Sequence, residues 1–344
     1  DEYVNVKQQK ISTIENMLNS RGVTPLQQYH IYRQLFIEYQ PFQFDKAKET
    51  LERQLVIAKQ IASDSLQHCT MLDMAMLHTT AGFYLEADEI FAQIDTASLT
   101  LDQKVCWYDA RQKFLHDYKE YVSTSSIEVP DASQITRYQD RILEITSGDL
   151  PLNRHIRILR IIESRDFEKA YKENLEFIAS LDKTSRDYAV QTYWQGYICD
   201  NLNRTDELIH WWTESALCDI QGAIKDNACV CSIAIKLTDP QDTDRAFKYI
   251  SISLDDALFY NAKLRKVQIA STLPWILKTY TDSKDIQNRY RTRYLILTTC
   301  IALLLLVFCV VAVRLYVKGR KNAEEIESKN LQLAEYYNSV IDAE

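Results

Sequence analysis

The segment Met71–Ile94, MLDMAMLHTTAGFYLEADEIFAQI, carries apolar residues at helical spacing on both sides of a single glycine, Gly82. Such spacing predicts two amphipathic helices, with Gly82 ending the first because glycine takes the left-handed backbone of a helix terminus without strain. Ala75 falls where the two helices would cross closely. Tyr84, Ala87 and Phe91 then line one face of the second helix. The pattern is helix, tight turn, helix.

The second-helix signature recurs along the chain. FQFDKAKETLERQL centres on Ala47, RDFEKAYKENLEF on Ala170 and DTDRAFKYISISL on Ala246, with a looser form, RTDELIHWWTESAL, centred near Ile209. From Ala47 to Ala87 the interval is 40, from Ala87 to Ala170 it is 83, and the last two are 39 and 37. Because 83 is about twice the period, a degenerate pair is expected over 98–148, in LTLDQKVCWYDARQKFLHDY and ITRYQDRILEI, joined by a polar loop, KEYVSTSSIEVPDAS, that holds Pro130. The unit resembles a tetratricopeptide repeat, in which small residues sit at the helix crossing and large ones surround it. A single pair cannot bury its apolar face, so neighbours must stack. The predicted fold is therefore all-α, a tetratricopeptide-like α-solenoid over 1–274, with Ala47, Ala87, Ala170 and Ala246 as repeat-packing positions. Six glycines and six prolines are too few for a turn-rich β architecture.

Downstream, Pro274 is expected to kink or restart the chain before a juxtamembrane helix over 275–293. The twenty residues Tyr294–Val313, YLILTTCIALLLLVFCVVAV, contain no charge. At about 1.5 Å per residue they span about 30 Å, the hydrocarbon thickness of a bilayer, and predict one transmembrane helix. A helical tail follows over 314–344, in which Ile326, Leu333 and Val340 recur every seven residues with Asn330 and Tyr337 between them, the spacing of a parallel coiled coil and hence of a homodimer through the tail. A solvated single helix is the alternative for the tail, which reads as cut rather than capped. Five basic residues on each side of the span leave orientation undecided by charge. The start at Asp1 rather than Met reads either as a removed leader or as an arbitrary cut; a removed leader would favour a periplasmic repeat domain, a cytoplasmic tail and a single pass through the inner membrane.

Net charge is −8, about −7 of it before the span and −1 after, so no basic patch suits nucleic acid in this segment. The six histidines form no HExxH, no phosphate-binding glycine loop is present, and no carboxylate pair stands out as acid and base. Asp88 and Glu89 read as a solvated face, and His78 as a packing residue. Cys229 and Cys231 form CxC without partners at metal spacing, so neither a metal nor a cofactor is expected, and no catalytic residue or enzymatic activity. Aromatic residues offer more. Trp194, Trp211 and Trp212 fall in one repeat pair and are the candidate ligand-binding residues, with filling of the gaps between helices as the alternative reading; Trp211 and Trp212, being adjacent on a helix, cannot both face inward.

SALCDIQGAIKDNACVCSIA, RAFKYISISLDDALFYNAKLRKVQIASTLP, the apolar run and NAEEIESKNLQLAE, with YHIYRQLFIEYQPFQFDKAKETLERQL near the start, resemble a Bacteroidota family of membrane-anchored tetratricopeptide proteins, similar to the starch-utilisation regulators of gut bacteria. The resemblance covers essentially the whole chain. It implies a cleaved leader, a periplasmic repeat domain and a cytoplasmic continuation ending in DNA binding, an output this segment does not contain. The expected function is a sensor or regulator whose repeat domain binds a protein or a small-molecule ligand, such as a glycan, and signals across the membrane. The sensor half of a histidine kinase and a membrane-tethered scaffold without signalling output are the alternatives.

Overall fold

The computed structural model describes residues 2–123, 131–226, 228–237 and 239–341. Among them there are α-helices and one 3-10 turn and no strand. After α1 (Glu2–Leu18) come six helical pairs: α2 (Pro25–Tyr39) with α3 (Phe44–Gln60), α4 (Asp64–Ala81) with α5 (Tyr84–Ala92), and α6 (Leu101–Val122) with α7 (Ala132–Ile145). The others are α8 (Pro151–Glu163) with α9 (Phe167–Ala179), α10 (Arg186–Asn201) with α11 (Thr205–Gln221), and α12 (Cys229–Lys236) with α13 (Thr243–Tyr260). A last helix, α14, runs Lys263–Ile341. Two compact units result, 1–280 and 281–344.

Local chemistry sets the helix boundaries. Thr24 and Thr100 each accept from the backbone N–H of the glutamine three residues on, Gln27 and Gln103, whose side chain reaches back to the threonine N–H. This reciprocal cap satisfies two otherwise orphaned donors at the starts of α2 and α6. Gly82 ends α4 at φ 84° and Arg165 and Asn203 take φ 62° and 58° at the equivalent turns before α9 and α11.

The fourth residue of each second helix sits at the crossing. Ala47, Ala87 and Ala170 have no exposed surface there, and Ala246 is buried. Two positions differ from the sequence expectation. In α11 the fourth residue is the fully buried Leu208, whereas Ile209 is half-buried, so that repeat is centred one residue earlier. In the pair expected over 98–148 the position belongs to Ile135, also buried. Helix α6 continues to Val122, so the segment read as loop from Lys119 begins in helix. Pro130 lies outside the described residues.

The largest apolar cluster joins opposite ends of the first unit. Phe42, Phe44 and Leu51 of the first pair share a core with Ala234, Ile250, Ala257 and Tyr260 of the last, and with Ile269 and Ile276 of α14. Phe42 and Phe259 meet edge to face at 5.2 Å, and the Lys225 backbone N–H donates to the Pro41 carbonyl at 2.7 Å. At Gly82 the requirement for glycine is double, because a Cβ there would lie 2.7 Å from the Leu264 nitrogen as well as on a left-handed backbone. Pro274 does not restart the chain: α14 runs through it, flanked by buried Ile269 and Ile276, and this burial offsets the cost of a proline inside a helix, about 3 kcal/mol. The first unit extends past Pro274 to Tyr280, whose ring stacks on Phe247 at 4.3 Å.

Among the described residues one helix, α14, is long and apolar enough to cross a membrane, with a mean hydropathy of 3.0 over its most apolar window and none of that window buried.

Candidate functional site

First helices of three successive pairs bring three aromatic side chains together. Trp194 of α10 lies 6.5 Å, ring centre to ring centre, from both His116 of α6 and His155 of α8. Tyr193 and Tyr197, at 5.8 and 5.5 Å, complete an edge-to-face group around the indole. Trp194 and His155 are half-buried and His116 is exposed, so the group is reached by water. Gln191 and His155 are joined by a 2.8 Å hydrogen bond between the amide nitrogen and Nδ1.

Charged residues at helical spacing run alongside on α6. Asp109, Lys113 and Asp117 follow one another at intervals of four and so share a face. Lys113 donates to Asp117 at 2.6 Å, and Gln112 donates to Asp109 at 3.2 Å. Burial opposes the Lys113 ammonium, but Asp117, with Asp226 and Asp109 beyond it, outweighs this and holds the pKa above that of an ordinary lysine. Lys113 nevertheless keeps 36 % of its side chain open to solvent, which describes a wet surface rather than a dry core. Burial pushes the Asp109 carboxyl up and the His155 imidazole down, so each favours its uncharged form. Glu120, one turn further, accepts from Gln268 of α14.

A second charged group closes this region. The Arg186 guanidinium stands 3.7 Å from Asp219 and 3.8 Å from Asp226, one cation between two carboxylates. Burial pushes Asp219 up to about 7 against the pull of Arg186. Burial also raises Asp226, opposed by Arg186, Arg265 and Lys113.

The three tryptophans singled out in the sequence do not form one surface. Trp212 faces inward and is a core residue, contrary to its candidacy for ligand contact: it is 4 % exposed and its Nε1–H donates to the Tyr193 carbonyl at 3.0 Å. Its indole occupies the space over Gly196, where a Cβ would lie 2.3 Å from Cδ1. Trp211 is half-buried at the edge of two apolar clusters, one holding Ile178 and Tyr188 and the other Trp212 itself, with its ring 5.0 Å from His210. Only Trp194 joins the His116–His155 group. His116, His155 and the Asp109–Lys113–Asp117 ladder were not singled out in the sequence. The intervals of four along α6 were the available signal, whereas nothing local connects α6 to α8 and α10.

Elsewhere, His78 is buried and its Nδ1 lies 2.7 Å from the Met74 carbonyl, so its polar atom is satisfied within α4. Asp88 pairs across to Arg111 at 2.8 Å while remaining largely exposed. Cys229 and Cys231 are buried free thiols, and burial pushes Cys229 up to about 12, which holds it protonated.

The arrangement offers flat aromatic faces, amide and carboxyl hydrogen-bonding groups and one lysine on a partly wetted surface. Those groups suit reversible binding of a polar ligand. Comparison with curated proteins returns no match. A family model, described as the SusR N-terminal TPR domain, matches residues 1–271. The match spans the repeat pairs and the site built from them, and the chain belongs to the SusR N-terminal TPR domain family.

Proposed function

We propose that this chain is the sensory and membrane-anchoring part of a single-pass inner-membrane regulator. Its repeat domain lies in the periplasm and binds a protein or a small-molecule ligand, a glycan among the latter. The helix through 294–313 carries the response to a cytoplasmic tail that pairs with a second copy. On this reading the chain is a binding protein and not an enzyme. Membership of a regulator-like repeat family supports the role. The observation that carries the ligand site is the convergence of His116, His155 and Trp194 from three successive repeats, beside the Asp109–Lys113–Asp117 ladder.

Glycan and peptide arrays probed with the repeat domain test the site. For any ligand found, Trp194→Ala should weaken binding by about 1–3 kcal/mol, roughly five- to 150-fold, since one aromatic platform contributes about that much when desolvated. Trp211→Ala should leave binding unchanged. A ligand indifferent to Trp194→Ala and His155→Ala would remove this surface from consideration. Topology is tested separately: protease added to spheroplasts should digest the residues before Tyr294 and spare a tag after Glu344, and the reverse pattern would overturn the assignment.

A further inference from the structure

Helix α14 is unbroken across 281–341, and one heptad frame keeps its a and d positions uncharged from Leu295 onward, whereas before it the same frame puts Lys284 and Arg291 at d. The frame that places Ile326 and Leu333 at d and Asn330 and Tyr337 at a reaches back, seven residues at a time, into the apolar run. There the same two positions hold Leu295, Thr298, Ala302, Leu305, Cys309 and Ala312, which include four of the six small residues of a segment otherwise dominated by leucine, valine and isoleucine. Membrane helices associate through small residues, which let backbones approach, because lipid gives no hydrophobic drive between helices. Water-soluble coiled coils associate through apolar d positions, and a single asparagine at a fixes register. Two different physical rules thus select the same face of one helix.

Charge follows the same division. Nine residues between Arg314 and Ile341 are charged, and none occupies an a or d position. Arg320 and Glu324 pair along the helix at 3.1 Å, as do Lys329 and Glu325 at 2.7 Å, so these charges are satisfied away from the seam. The seam residues themselves are uncovered: Ile326 is 60 % exposed, Leu333 57 % and Tyr337 61 %. From Leu295 to Tyr337 the face is about 64 Å long at 1.5 Å per residue; with a contact about 10 Å wide, a pair of helices would cover roughly 1,300 Å², within the 1,200–2,000 Å² of stable interfaces.

We infer that the second unit pairs in parallel with a second copy of this chain along one continuous seam, from Leu295 inside the apolar run to Tyr337 in the tail. The inference rests on the proposed span and tail pairing and adds that the span itself is part of the interface, in register with the tail. Its consequence is mechanical. A rotation or shift imposed on the span is passed to the tail without an intervening joint.

The chain carries its own reporters. Cys309 is at an a position on the seam, and Cys300, nine residues earlier, is about half a turn away on the opposite face. The experiment uses the full chain in phospholipid vesicles with Cys69 and Cys106 replaced by serine. Three versions retain Cys309 alone in the span, Cys300 alone, or neither with Leu333→Cys in the tail. Copper phenanthroline and dioxygen take two electrons and two protons from each facing thiol pair. Cys309 and Leu333→Cys should cross-link two copies at least about tenfold faster than Cys300, whose partner lies beyond the roughly 7 Å Cα separation a disulfide spans. Neither rate should fall when the vesicles are diluted with lipid. Equal rates for Cys300 and Cys309, or loss of the Cys309 product on dilution, would overturn the seam. Cross-linking of Leu333→Cys alone would leave a tail dimer and overturn the continuous interface. Cross-linking at neither site would remove both.

Discussion

Asp219 is the residue whose charge state the fold disturbs most openly. The residue is 5 % exposed, one carboxyl oxygen finds no hydrogen-bond donor, and Arg186 at 3.7 Å is too distant to offset the burial. The pKa rises from 3.8 to about 7 in the folded chain. A carboxyl whose folded pKa is raised binds its proton more tightly when folded, so its contribution is greatest below about pH 4. That contribution is lost progressively as pH rises to about 7. At about 1.4 kcal/mol per pH unit the ceiling is ~4 kcal/mol, and relaxation around the ion leaves ~1–3 kcal/mol. Asp219→Asn should therefore stabilise the chain at pH 7.5 by ~1–3 kcal/mol and make little difference at pH 4.5, read as the difference between urea midpoints of variant and parent at each pH. An equal effect at both pH values would show that Asp219 is ionised throughout.

The helical pair is the unit whose register the buried fourth residue sets. At Ala87, where no surface is exposed, a larger side chain has nowhere to go, and Ala87→Leu should cost ~1–3 kcal/mol through overpacking. At the equivalent position of the third pair the neighbours make room for an isoleucine. Ile135→Ala should cost ~2–4 kcal/mol by leaving a cavity, the opposite defect at the same place in the unit. Chemical denaturation of the two variants checks the register. If Ile135→Ala unfolds at the parent's midpoint, α7 is not packed as the second helix of a repeat.

At the scale of the first unit, the last pair lies against the first. An open stack of repeats feels a substitution only in its neighbours. Here Phe42, 2 % exposed and in contact with Phe259, belongs to both ends at once. Phe42→Ala should cost ~3–5 kcal/mol, and amide protection should fall in α13 together with α2 and α3. Protection lost only in α2–α4, with α13 unchanged, would mean that the two ends fold independently.

Much of the architecture is local and was legible for that reason. Helical periodicity, the turn at Gly82, the alanines at the crossings and the uncharged run from Tyr294 to Val313 are each properties of a few neighbouring residues. They specify repeats and an apolar helix without reference to anything distant. The register of two repeats was less legible. Leu208 and Ile135 occupy positions that elsewhere hold alanine, and whether a large residue fits there depends on the helices opposite. The same holds for the tryptophans: that only one of Trp211 and Trp212 faces inward follows from helix geometry, but which one was settled by the space over Gly196. Pro274 reads as a break until Ile269 and Ile276 are seen buried on either side of it. The site is the extreme case. His116, His155 and Trp194 stand about forty residues apart in the chain, one per repeat. Stacking turns that period into contact, and only the tertiary structure, by setting the rise and rotation between pairs, determined which side chains would meet.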